Sequence, residues 1–151
     1  MDAREWIERE FLKLRDEQYL ITSDSADEYN CIAWAANDTE RWWWPHPDAY
    51  WPTGIPRVET LENFIRVFQS LGYEPCEDGA LEDGYSKVAI YLNAQGIPTH
   101  MARQLLSGKW TSKLGEAWDI EHQTVQGVEG KTYGQVGQYL KRAIKLSSEL
   151  P

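Results

Sequence analysis

Between Leu61 and Leu71 the apolar residues Leu61, Phe64, Ile65, Phe68 and Leu71 recur at steps of three and four. That spacing predicts an amphipathic helix, and Gly72 follows where helices commonly end on a left-handed residue. A second stripe, Trp6, Ile7, Phe11 and Leu14 with Leu12 beside it, predicts a helix over residues 4–19, its other face carrying Arg, Glu and Lys. The polar run "ITSDSADEYN" reads as a loop, and residues 31–37 as a short, Ala-rich helix. Near Lys87 the period changes to two. "KVAIYL" predicts a strand, "NAQG" a turn, "IPTHMARQL" its antiparallel partner and "LSG" a second turn. "KWTSKLG" predicts a third strand, and "EAWDIEH" closes the meander. "TYGQVGQYLKRAIKLSSEL" predicts a terminal helix, weakened by Gly134 and Gly137. Helices set apart from a meander of about three strands imply an α+β fold.

Residues 38–56 fit neither period. They hold four prolines and four tryptophans, and His46 lies between Pro45 and Pro47. Proline forbids regular helix and interior strand there. An aromatic loop of that length is a functional loop or cleft wall more often than a linker. Trp43, Trp44, Tyr50 and Trp51 could stack on a sugar, a peptide or a methylated amine. They could equally lock an irregular loop over the core, with some rings also walling a cleft.

The chain of 151 residues fits one domain. The expected division is an N-terminal helix over 1–22, a core with the C-terminal helix over 23–146, and a tail at 147–151. A net charge of −9 with scattered Lys and Arg argues against nucleic acid and against an anionic membrane surface. The first twenty residues lack the apolar run of a signal peptide, and no stretch suits a bilayer span. With two cysteines, these features predict free thiols and a cytoplasmic location.

Cys31 stands where the polar loop enters a helix, and a helix N-terminus favours thiolate. Of three histidines, His100 sits on the second strand of the meander. A strand histidine facing a helix-start cysteine is the arrangement of papain-like thiol hydrolases. The residue orienting His100 is expected to be Asp119, because a carboxylate also stabilises imidazolium, or else His122, with Ser112 a weaker candidate. Asn30, Tyr29 or Trp34 would join the Cys31 backbone N–H in an oxyanion hole. The plain alternatives are a small buried cysteine, an exposed strand histidine, and an Asp119 that caps a turn. Cys76, among acidic neighbours, reads as structural. Cys31, Cys76, His100 and His122 lack zinc-site spacing, so no metal or other cofactor is expected. "GQVG" is not a phosphate loop, and "SGKWTSKLG" alternates like a strand rather than forming a Ser-x-x-Lys helix.

Together "YNCIAWA", the "WWWP…YWP" loop, "KVAIY", "HMARQLLSGKWTSKLG" and "DIEH" resemble an uncharacterised bacterial domain family, from about Tyr29 to about Tyr139. More remotely, the chain resembles the NlpC/P60 and CHAP branches of papain-like hydrolases. That resemblance implies a papain-like fold, with the Cys31 helix packed on a small antiparallel sheet. It also implies cleavage of amide or isopeptide bonds. The chain departs from that pattern at Lys87, where the NlpC/P60 strand commonly opens with the catalytic histidine. Two functions follow as expectations. One is a cysteine hydrolase or acyltransferase acting on a peptide or other amide. The other is a non-catalytic module, such as an immunity or interaction protein, that recognises a protein partner through the Trp-rich loop.

Overall fold

The computed structural model describes residues 2–144. The expected tail and the end of the predicted terminal helix lie outside them. The described chain is mixed helix and antiparallel sheet, mostly sheet. The helices are α1 (Ala3–Glu10), α2 (Cys31–Ala35) and α3 (Leu61–Ser70). The strands are β1 (Tyr19–Ile21), β2 (Glu74–Cys76), β3 (Tyr85–Leu92), β4 (Pro98–Gln104), β5 (Trp110–Lys113), β6 (Asp119–His122) and β7 (Gln135–Ala143). They form one seven-stranded sheet in the order β1-β6-β5-β4-β3-β7-β2, with every pairing antiparallel.

The helix predicted over 4–19 is divided. Asp2 caps α1 by accepting the Glu5 N–H at 2.8 Å. At Phe11 the backbone leaves helical space (φ −126°), and a 3-10 turn over Leu12–Asp16 follows. Tyr19–Ile21 then pairs with β6 as an edge strand, a tertiary contact that overrides the helical stripe. α3 is as its pattern predicts. Thr60 caps it through the Asn63 N–H, Gly72 takes φ +95°, and the Tyr73 N–H returns to the Phe68 carbonyl. Phe64, Val67 and Phe68 are fully buried, each contributing about 1.5–3 kcal/mol.

The predicted terminal helix is instead β7, and the meander is part of a larger sheet. β7 pairs with β3 from Tyr85↔Ala143 to Leu92↔Gln135 and with β2 on its other side. Gly134 and Gly137 weaken a helix reading for the reason that they permit this strand. A Cβ at Gly134 would lie 2.0 Å from the Leu92 carbonyl oxygen, and one at Gly137 would lie 2.2 Å from Leu92 Cδ1. The strand passes Leu92 so closely that only glycine fits.

Two cores flank the sheet. On one face α2, α3 and the aromatic loop pack on Val88, Ile90, Met101 and Leu140. On the other, Ile7, Phe11 and Leu14 cover Ala89, Tyr91, Ala102, Trp110 and Ile120. This two-sided burial decides which side chains of each strand can meet. No helix among the described residues is long and apolar enough to cross a membrane.

Candidate active site

Cys31 is the first residue of α2, and Asn30 is its N-cap. The Asn30 side chain is buried and bonded through both its oxygen and its nitrogen. Its Oδ1 accepts the N–H groups of Ala33 (3.2 Å) and Trp43 (3.1 Å), and its Nδ2 donates to the Trp43 carbonyl (2.7 Å). One residue therefore starts the helix and ties the aromatic loop to it. Cys31 is 6% exposed, and with Asn30, Trp42, Trp44, Thr99, Gly115 and Tyr133 it lines a cavity of about 230 Å³. Burial pushes its thiol up to about 11. The backbone N–H groups of Met101, Ile32 and Cys31 itself favour thiolate and offset this in part.

His100 stands on β4, but strand alternation separates it from Cys31. Met101 packs with Cys31 in the α2-side core, and Arg103 Nε donates to the Trp34 carbonyl at 3.4 Å. His100, in register with Tyr91, shares the opposite face with Ala102. There its ring stacks on Tyr133 (3.9 Å between centroids, 7° between planes) and meets the Tyr91 edge at 5.0 Å. Tyr133 lines the Cys31 cavity as well, so the two faces meet at that ring.

A buried polar chain runs from His100 across the strands. His100 Nε2 lies 3.0 Å from Ser112 Oγ, Ser112 Oγ lies 2.8 Å from His122 Nε2, and His122 Nδ1 lies 2.7 Å from the Thr124 carbonyl. Burial lowers the pKa of both imidazoles, so both are neutral at pH 7. A carbonyl can only accept, so His122 carries its proton on Nδ1 and accepts on Nε2. Ser112 therefore donates to His122 and accepts from His100 Nε2–H. His100 Nδ1 is left as a bare acceptor, buried and without a hydrogen-bond partner among the described residues. Such an orphaned group costs about 1–3 kcal/mol and calls for a reason.

Asp119 is not in this chain. It opens β6 on the other face, where its Oδ2 accepts the Tyr29 hydroxyl at 2.7 Å. Burial raises its carboxyl, and burial followed by the Asp119 hydrogen bond pushes Tyr29 up to about 12. Lys113, also fully buried, donates to the carbonyls of Ala26 (2.6 Å), Gly115 (2.8 Å) and Ala117 (2.7 Å) and fixes the turn beside the cavity. The suggested side-chain oxyanion donors are each engaged: Asn30 with Trp43, Tyr29 with Asp119, and Trp34 Nε1 with Thr111 Oγ1 at 3.0 Å. Lys87 lies apart from Cys31, paired with Asp78 and Glu82.

Within the aromatic loop Trp43 is buried and donates to Asp38, Trp51 is buried and donates to the Pro56 carbonyl, and Tyr50 lies under the Arg41 guanidinium. Trp44 reaches the cavity, as does Trp42, which the sequence reading passed over. Thr99 and Tyr133 were also missed, and no local pattern marks them. Both cysteines are free. Among the described residues no three His, Cys, Asp or Glu side chains are grouped to hold a metal ion, so the four zinc candidates do not gather.

A family model described as a domain of unknown function (DUF7689) matches residues 20–141, and the chain belongs to that family. No curated protein and no solved structure matches it.

Proposed function

We propose that this member of the DUF7689 family is a papain-like cysteine hydrolase or acyltransferase acting on an amide or isopeptide bond. The observation that carries the reading is the bare Nδ1 of His100, held in the accepting tautomer by Ser112, His122 and the Thr124 carbonyl. A general base for a thiol needs that lone pair. Cys31 is the nucleophile at the head of α2, opening on the cavity. Both groups are neutral at rest, and the reading requires His100 Nδ1 to reach the Cys31 sulfur past Tyr133, the ring that stacks on His100 and lines the Cys31 cavity. The thiol proton passes to Nδ1 and the sulfur attacks the carbonyl carbon. The Cys31 backbone N–H, at the head of α2, is the donor offered to the developing oxyanion. His100 returns the proton to the leaving amine, and water or a second amine releases the acyl group.

The test is iodoacetamide alkylation of Cys31 between about pH 5 and 9, followed by peptide mass spectrometry, with Cys76 as internal comparison. Slower alkylation at Cys31 but not Cys76 in His100→Ala supports the pair. A Cys31 profile unchanged by that substitution refutes it.

The thiol held up to about 11 favours a second reading, a non-catalytic module whose cavity receives an apolar side chain of a protein partner between Trp42, Trp44 and Tyr133. The partner would be basic at its rim, given the chain's charge of −9. Binding that survives Cys31→Ala and is lost on replacing Trp42 and Trp44 supports it; amide turnover that depends on Cys31 rules it out.

A further inference from the structure

We propose that the hollow between α1 and the β5–β6 turn is a binding site for a basic peptide side chain, an arginine or a lysine. It is a cavity of about 500 Å³, distinct from the Cys31 cavity but sharing with it a wall at Gly115 and Tyr133. Four rings in succession line it. Trp118 meets Trp6 at 5.8 Å between centroids and 62° between planes, Trp6 meets Phe11 at 6.4 Å and 72°, and Phe11 meets Tyr133 at 5.1 Å. Trp6 and Trp118 are only half-buried, so they keep ring surface toward the hollow on which a cation can rest.

Charge selects the occupant. Glu10, at the end of α1, and Glu116, in the turn, line the same cavity. Among the described residues neither belongs to an ion pair, and none of the residues lining the cavity is Lys, Arg or His. Glu10 Oε2 accepts the Thr132 hydroxyl at 3.2 Å. Burial first, then Cys31 and then Glu10, raises the pKa of Tyr133, so its hydroxyl stands between the two cavities. Lys113 lies behind the turn. Its ammonium donates to the carbonyls of Ala26, Gly115 and Ala117, and Asp119, Glu116 and Glu28 surround it. Cations of this chain lie over Tyr19, Trp34, Tyr50 and Tyr73, but among the described residues none lies over the four rings of the hollow. A guanidinium or ammonium seated there rests on Trp6 and Trp118, lays its methylene stem on Phe11 and Leu114, and meets both carboxylates. Through the shared wall, a peptide held this way can present its neighbouring residue to the Cys31 cavity. The site itself does not rest on the chemistry of Cys31.

The experiment follows the indole N–H signals of the full chain by nitrogen-15 NMR. The probes are acetyl-Ala-Arg-Ala-amide and acetyl-Ala-Lys-Ala-amide, each added to about 10 mM, the range that one side-chain contact requires. Their neutral counterparts carry citrulline and Nε-acetyl-lysine. Saturable shifts at Trp6 and Trp118 are expected with a basic peptide, and binding about fivefold weaker or absent with its neutral counterpart. The double variant Glu10→Gln with Glu116→Gln keeps the shape and removes the charge, and should weaken binding about fivefold. Trp118→Leu should weaken it about two- to fivefold. Should Trp118→Leu fail to fold, the double variant still decides. Equal binding of the neutral peptides, unchanged binding in the double variant, shifts confined to Trp42 and Trp44, or no shift at all overturns the proposal. The readout does not involve Cys31, so failure here leaves the nucleophile reading standing, and an inert Cys31 leaves this site standing.

Discussion

Asn30 is the residue on which the site's framework depends, and its three hydrogen bonds allow its removal to be worked out in parts. Asn30→Ala removes the cap of α2, about 1 kcal/mol. It also strands the Trp43 N–H and the Trp43 carbonyl in a buried place, at about 1–3 kcal/mol each. The sum is about 3–7 kcal/mol, against a typical domain stability of about 5–15 kcal/mol. Asn30→Asp separates the contributions. It keeps both acceptor bonds and adds a negative charge at a helix N-terminus, but it loses the donor to the Trp43 carbonyl. Its cost should fall to about 1–3 kcal/mol. Urea unfolding followed by tryptophan fluorescence measures both, with the slope checked for constancy. A loss below about 1 kcal/mol in Asn30→Ala would refute the reasoning, because solvent or a neighbour would then be satisfying the Trp43 groups. Equal losses in the two variants would show that the single donor bond carries the whole effect.

Gly137→Ala should cost about 1–3 kcal/mol through collision with Leu92, and Leu92→Ala in the same chain should cancel most of that increment in a double-mutant cycle; additive losses would reject the close approach. Lys113→Met keeps the apolar stem but takes the ammonium donor from three carbonyls, of which only that of Ala117 keeps another, the Ala26 N–H, so the melting temperature should fall by about 10 °C or more, whereas an unchanged value would mean that the carbonyls find water. Acid should destabilise the fold through His100 and His122. Below about pH 6.5 the unfolded imidazoles bind protons that the buried ones refuse, so stability is present above that pH and is lost as pH falls, by up to roughly 2.7 kcal/mol per pH unit for two protons. Chemical denaturation at pH 7, 6 and 5 reads the slope, and a flat profile would mean that the rings are charged in the folded state.

The parts legible in the sequence were those with a clean period. α3 declares itself through Phe64, Phe68 and Thr60, and the β3–β6 meander through alternation around the turns at Asn93–Gly96 and Leu105–Gly108. β7 was hidden because most of its side chains are half-buried on both faces, which blurs a period of two. Gly134 and Gly137 read as helix defects because the residue they admit, Leu92, lies more than forty residues away. The aromatic loop carries no period, so nothing local marks Trp42 as lining the cavity and Trp43 as buried. One signal in the candidate site was available and unused. Asp119 and His122 are three residues apart on a strand, so they face opposite sides and cannot both serve His100. Parity selects His122, and it selects Ser112 on β5 in the same way.

That parity changes the chemistry expected of the site. A carboxylate beside His100 would hold an imidazolium in the resting state and draw Cys31 toward thiolate. Asp119 is instead turned to Tyr29 on the far face, and His100 has a hydroxyl in its place. Burial then keeps the thiol high and the imidazole low, so the resting pair is uncharged. Oxidants and alkylating agents react with thiolate, so a neutral Cys31 reacts slowly with both. The Ser112 hydroxyl accepts from His100 and donates to His122 without itself becoming charged. With no carboxylate at His100, its tautomer is held by Ser112 and His122 through the Thr124 carbonyl.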